Sequence, residues 1–178
     1  METKLISGLS QVQSKYDTFF IDLWGVIHNG IELYPEAINV LKKLNKLKKR
    51  FVLISNAPRP SKSVENYLTN LDMDKAFIKN VFTSGEAALR TLKRKIHGEK
   101  FYHIGPPRDK DLIQGFEKNE TSLEKCDFIL CTGLFENKEE SLDYYKSLLN
   151  KHIKLKMICT NPDLIVHRGF QTEYCAGS

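Results

Sequence analysis

Cysteine is scarce in this sequence and follows no pattern. Cys126, Cys131, Cys159 and Cys175 are the four present, and none forms a C-x-x-C pair or stands with histidines at zinc-finger spacing. Neither a metal motif nor a redox motif is therefore indicated, and these residues read as small buried hydrophobes of a reduced, cytosolic protein. No apolar run approaches the length needed to span a bilayer, and the amino terminus, METKLISGLSQVQSKYD, lacks the hydrophobic stretch of a secretory signal. The expected location is cytoplasmic, with no membrane partner. Low-complexity linkers and internal repeats are also missing, and no G-x-G-x-x-G follows the first apolar run, which removes a dinucleotide-binding reading.

Acidic residues are slightly outnumbered: 27 Lys and Arg against 22 Asp and Glu leave a net charge of +5, with a pI near 8.9. The densest basic run, KKLNKLKKR from Lys42 to Arg50, lacks the interleaved aromatics or motif of a nucleic-acid surface. It reads as the solvated face and cationic last turn of a helix, where positive charge complements the helix dipole. Nucleic acid is not an expected partner.

What the 178 residues do contain is an alternation of apolar runs with amphipathic ones. TFFIDLWGVI reads as a strand and YPEAINVLKKLNKLKK as a helix, with Ile38, Leu41, Leu44 and Leu47 on one face and Pro35 in the first turn. RFVLISN is a strand, APRPSKSVENYLTNL a turn and helix opening near Ser61 or Ser63, and IKNVFTSGEAALRTLKRK a short strand entering a helix. After His97 and Gly98 the pattern restarts. KFYHIG, CDFILCTGLF and KLKMICTNPD read as strands, RDKDLIQGF and EESLDYYKSLLNKH as helices. Such alternation implies right-handed crossovers and a mostly parallel sheet, an α/β architecture. The restart divides the chain into residues 1–95 and 96–178.

In open α/β sheets, ligands bind beyond the carboxyl ends of the strands. Three such ends in the first half are polar: Asp22 on the first, Ser55 and Asn56 on the second, Thr83, Ser84 and Gly85 on the third. One carboxylate among hydroxyl, amide and backbone N–H donors suits a phosphate, since the donors hold its oxygens while the acid attacks or binds a metal. Each hydroxyl or amide residue taken singly reads better as a helix cap, but all of them at successive strand ends, with Asp22 at the first, do not.

The motifs DLWGVIHNG, LISNAPR, TSGEAA and CTNPD, in this order, resemble those of the class IIA phosphatases of the haloacid dehalogenase-like superfamily, relatives of the nitrophenylphosphatase and pyridoxal phosphate phosphatase group. The resemblance runs from about Phe19 to the end of the chain. It implies a Rossmann-like core, of which residues 1–95 are the N-terminal half, with an inserted α/β cap in residues 96–178. It further implies Mg²⁺-dependent hydrolysis of a small phosphorylated metabolite through an aspartyl-phosphate, and a homodimer formed through the cap. Residue by residue, Asp22 corresponds to the nucleophile and a magnesium ligand, and Trp24 to the residue whose backbone carbonyl reaches the metal. Ser55 corresponds to the hydroxyl that holds the phosphoryl group, with Asn56 and Ala57 as substrate contacts and Arg59 placed to bind a second anionic group. His167 or Arg168 is an alternative for that last role. Asn161 and Asp163 either touch substrate or close an Asx-Pro turn.

Two departures stand out. Trp24 occupies the position where the phosphatase pattern carries an acid that protonates the leaving alkoxide, and an indole donates one hydrogen bond but no proton. His28 is the nearest substitute acid; its alternative is a packed or solvated loop residue. The lysine and the acid pair that complete the family's site both follow the cap, and no matching context occurs here. The expectation is that these residues are part of a longer protein, the complete protein being the hydrolase. The alternative is a phospho-ligand binding module or inactive fragment.

Overall fold

The computed structural model describes residues 5–137, 141–168 and 171–175, with side chains omitted for 166–173. Five α-helices and eight strands alternate along it: β1 (Thr18–Asp22), α1 (Pro35–Lys46), β2 (Arg50–Ser55), α2 (Ser61–Asn70), α3 (Lys75–Ile78), β3 (Val81–Thr83), α4 (Ser84–Lys93), β4 (Phe101–Ile104), β5 (Phe128–Cys131), α5 (Leu142–Asn150), β6 (Lys156–Cys159), β7 (Ile165–Arg168) and β8 (Gln171–Tyr174). The fold is α/β with parallel sheets. Contacts group it into two compact units, Met1–Ser55 with Glu65–Val81, and Asn56–Val64 with Phe82–Ser178.

In the first unit β1 pairs in parallel with β2, Thr18 opposite Arg50 through Asp22 opposite Ile54. The sheet has the order β1-β2-β3, and the Leu53 N–H donates to the Asn80 carbonyl just before β3 begins at Val81. β2 buries alternate residues, Phe51 and Leu53, as the two-residue period of a strand requires. Phe51 meets Phe77 of α3, their rings 6.0 Å apart between centroids. α1 opens with Pro35 and Glu36 and closes with Lys43 and Lys46, so the basic run lies at its negative dipole end. Leu41 and Leu44 are buried, whereas Leu47, expected on the same face, is the exposed C-cap residue beyond the last turn.

The second unit contains the parallel sheet β4-β5-β6. One apolar cluster joins Ala88, Leu89 and Leu92 of α4 to Phe101, Phe128 and Leu130. Another joins Ile104, Ile129 and Cys131 to Tyr145 of α5. The sheet is therefore covered on both faces, which explains why β5 is apolar without alternation. β7 and β8 form a separate antiparallel pair. The segment expected as a helix at RDKDLIQGF is a 3₁₀ helix, Pro107–Ile113. Cys131 is buried as expected, but Cys159 is exposed at the end of β6.

Candidate functional site

The first strand stops at Asp22, earlier than its apolar sequence suggests, because the next residues bend into a turn. The Leu23 carbonyl accepts from Val26, Ile27 and His28 N–H at 3.3, 2.9 and 3.2 Å, and Gly25 takes a left-handed φ of 73° that favours glycine. Asp22 is thereby exposed at the strand's carboxyl end, where an ionised carboxylate keeps its water. Its Oδ1 accepts the Leu23 N–H at 2.8 Å, which fixes the rotation of the carboxyl group. Asp22 pairs with Ile54, so Ser55 ends the neighbouring strand one position further on.

Trp24 projects from the same turn with about half its surface exposed (53%). Its ring meets His28 edge-on at 5.6 Å, and His28 meets Tyr67 at 5.5 Å. Tyr67 Oη donates to the Gly30 carbonyl at 2.8 Å, and a Cβ at Gly30 would stand 2.8 Å from the Trp24 ring. His28 is 4% exposed, and its Nδ1 accepts the Gly30 N–H at 3.1 Å. Burial lowers its pKa while the Asp22 charge pulls the other way. A histidine held neutral by burial, its Nδ1 committed to the backbone, packs the loop; it does not serve as a proton donor near neutrality. It packs against Trp24 and Tyr67, and Tyr67's part in this was not visible in the sequence.

In the second unit Asn56, Ala57 and Arg59 are gathered with the start of α4 and the loop after β6. Ser84 Oγ approaches the carbonyls of Ala57, at 3.0 Å, and of Thr160. The Gly85 N–H donates to Ala57 O at 3.1 Å, and a Cβ on Gly85 would come within 2.4 Å of the Arg59 backbone, so only glycine admits this approach. Thr83 Oγ1 donates to Arg59 O at 2.6 Å and accepts Glu86 N–H at 2.9 Å, capping α4. The hydroxyls of Thr83 and Ser84 are thus engaged by protein groups, and for Thr83 the capping role is the observed one. Arg59 is exposed, and its charge acts on the buried Asp109, whose pKa is raised by burial and lowered by the Thr132 hydroxyl and by Arg108 and Arg59.

The loop after β6 is an Asx-Pro turn closed by Asn161, whose Oδ1 accepts Asp163 N–H at 3.1 Å. Asn56 Nδ2 donates to Asp163 Oδ2 at 2.5 Å and to Asn161 Oδ1 at 3.3 Å. The side chains of His167 and Arg168 lie outside the described residues. Among the described residues no three His, Cys, Asp or Glu side chains converge on a metal position, and no helix is long and apolar enough to cross a membrane.

A family model described as haloacid dehalogenase-like hydrolase matches residues 19–117. No curated protein matches the chain. A solved structure of a haloacid dehalogenase-like hydrolase from Brucella suis is similar at 30% identity and a TM-score of 0.81, over 97% of this chain and 64% of that one. The 4-nitrophenylphosphatase of Thermotoga maritima is similar at 23% identity and 0.71, over 93% of this chain and 62% of that one. The glycerol phosphate phosphatase of Mycobacterium tuberculosis, solved in complex with magnesium, is similar at 17% and 0.66, over 93% of this chain and 50% of that one. The last two likenesses are of fold. This chain therefore spans less than two thirds of each of these relatives.

Proposed function

The chain belongs to the haloacid dehalogenase-like hydrolase family, and on that premise we propose that the complete protein is a Mg²⁺-dependent phosphatase of a small phosphorylated metabolite with Asp22 as nucleophile. The observation that carries this reading is Asp22 itself: an exposed carboxylate at the carboxyl end of β1, oriented by the Leu23 N–H and beside the strand that ends in Ser55. In this reading residues 1–95 supply the N-terminal half of the core and residues 96–178 the cap that selects substrate.

The donor set fits magnesium, which prefers oxygen ligands and keeps several waters: the Asp22 carboxylate and the Trp24 backbone carbonyl are hard oxygen donors two residues apart. When bound, the ion neutralises charge so that a carboxylate can approach a phosphate dianion. Asp22, with one oxygen held by the Leu23 N–H, attacks phosphorus through the other; the P–O bond to the leaving alkoxide breaks and an aspartyl-phosphate forms. Water then cleaves it and regenerates the carboxylate. Ser55 and the backbone around Asn56 and Ala57 donate to the phosphoryl oxygens as charge develops there. Arg59 binds a second anionic group of the substrate.

Neither Trp24 nor the buried neutral His28 delivers a proton to the leaving oxygen. General acid catalysis is worth about 10²–10⁴-fold, so esters with acidic leaving groups are the preferred substrates. The same observation favours a second reading, a module that binds phosphorylated ligands without turnover.

The test is phosphate release by the complete protein from nitrophenyl phosphate and a panel of metabolite esters, with and without Mg²⁺. Asp22→Asn should lower Mg²⁺-dependent release by about 10⁴-fold or more, as loss of a nucleophile does elsewhere. Undiminished turnover would sink the assignment, and tight ester binding without release would establish the second reading.

A further inference from the structure

The register of the second sheet sets two thiols side by side. Cys131 and Cys159 end β5 and β6 and are in-register partners on parallel strands. Their side chains therefore leave the same face of the sheet, and neighbouring strands run about 4.8 Å apart. Disulfides join Cα atoms about 4.4–6.8 Å apart, a range that includes the spacing of adjacent in-register strands. Cys131 is buried, Cys159 is exposed, and the hydrolysis proposed above uses neither.

We propose that Cys131 and Cys159 are a reversible redox-modification site, at which a peroxide oxidises Cys159 and Cys131 resolves the product to an intramolecular disulfide. The environments differ in the way this chemistry requires. Hydrogen bonding from Cys131 brings the Cys159 thiol down to about 6, against the opposing effect of burial. The Cys131 thiol is pushed up, first by its hydrogen bond to Cys159 and then by burial. Cys159 is thus the thiolate that meets solvent, and the thiolate is the nucleophile. It attacks the peroxide O–O bond, giving Cys159–SOH and releasing hydroxide or alkoxide. Cys131 sulfur then attacks the sulfenic sulfur; the S–S bond forms, and the thiol proton leaves with the hydroxyl as water. Two electrons pass from the two sulfurs to the peroxide.

The experiment treats the complete protein with stoichiometric hydrogen peroxide at neutral pH, alkylates the remaining thiols, and maps peptides without reduction. The expected result is a mass loss of about 2 Da, a cross-link between the peptides carrying Cys131 and Cys159, and its reversal by dithiothreitol. Cys126→Ser and Cys175→Ser should keep the cross-link and Cys159→Ser should abolish it. Cys131 recovered alkylated while Cys159 ends as sulfinic or sulfonic acid would overturn the proposal. So would a cross-link that forms equally well in denaturant, where the register is gone; both readouts use the unsubstituted chain and depend on no variant folding.

Discussion

Trp24 decides how the proposed hydrolysis runs. In that reading its indole takes the place of the acid; it is half exposed and edge-on to a histidine that burial keeps neutral. Trp24→Asp in the complete protein should therefore raise kcat for esters of poorly acidic alcohols by about 10²-fold or more, and change nitrophenyl phosphate turnover far less. Equal effects on both substrates, measured as a ratio of kcat values, would show that leaving-group protonation is not what Trp24 lacks. The strand-end position of Asp22 was legible without any structure, since a carboxylate after FFI is tolerable only at a strand end that faces water. The alternatives left open for His28 were not resolvable from sequence: its burial depends on Tyr67, 39 residues away, and on the closed turn that aims its ring inward.

Helix ends carry the clearest stability lever. Lys48 and Lys95, beyond the C-caps of α1 and α4, adopt left-handed backbone with φ of 55° and 52°, a conformation that costs a residue with a Cβ about 1 kcal/mol. Lys48→Gly and Lys95→Gly should each stabilise the chain by about 0.5–1 kcal/mol, read as a rise in Tm or in denaturant midpoint. A fall in either variant would mean that the lysine side chains contribute more than the backbone strain costs. Most helices and strands were legible because they follow local periodicity and turn chemistry, whereas the short α3 and the β7–β8 pair were not expected. Boundaries were less so: β1 stops at Asp22 because backbone hydrogen bonds to Leu23 O curl the next residues, and Pro107–Ile113 tightens into 3₁₀ geometry. Thr83 shows the same limit, since a hydroxyl at a strand end serves either a ligand or a cap, and its partners Arg59 and Glu86 choose the cap.

Across the molecule, two buried histidines set the response to acid. Burial lowers the pKa of His28 in one unit and of His103 in the other, where Lys110 adds to the effect and Glu120 opposes it. Both bind protons less readily folded than unfolded, so their contribution to stability is complete above the ordinary value of 6.5 and is lost as pH falls below it. Buried Asp109, raised above its ordinary 3.8, works in the opposite sense: its contribution is present at low pH and lost as pH rises through its folded value. Tm should accordingly fall between pH 7.5 and 5.5, with a shallower slope in His103→Gln; a flat or rising profile would contradict the burial argument. The sequence by itself determined the α/β class, the order of strands and helices, the family resemblance and the strand-end position of Asp22, because each is written in spacing over a few residues. Tertiary structure alone decided that Asn56 meets Asp163 across 107 residues, that Gly85 lies against the Arg59 backbone, and that Cys131 and Cys159, 28 residues apart, end adjacent strands in register. The reason is that strand register and loop contacts are selected by which surfaces can be buried together, a condition on distant segments that no local pattern records.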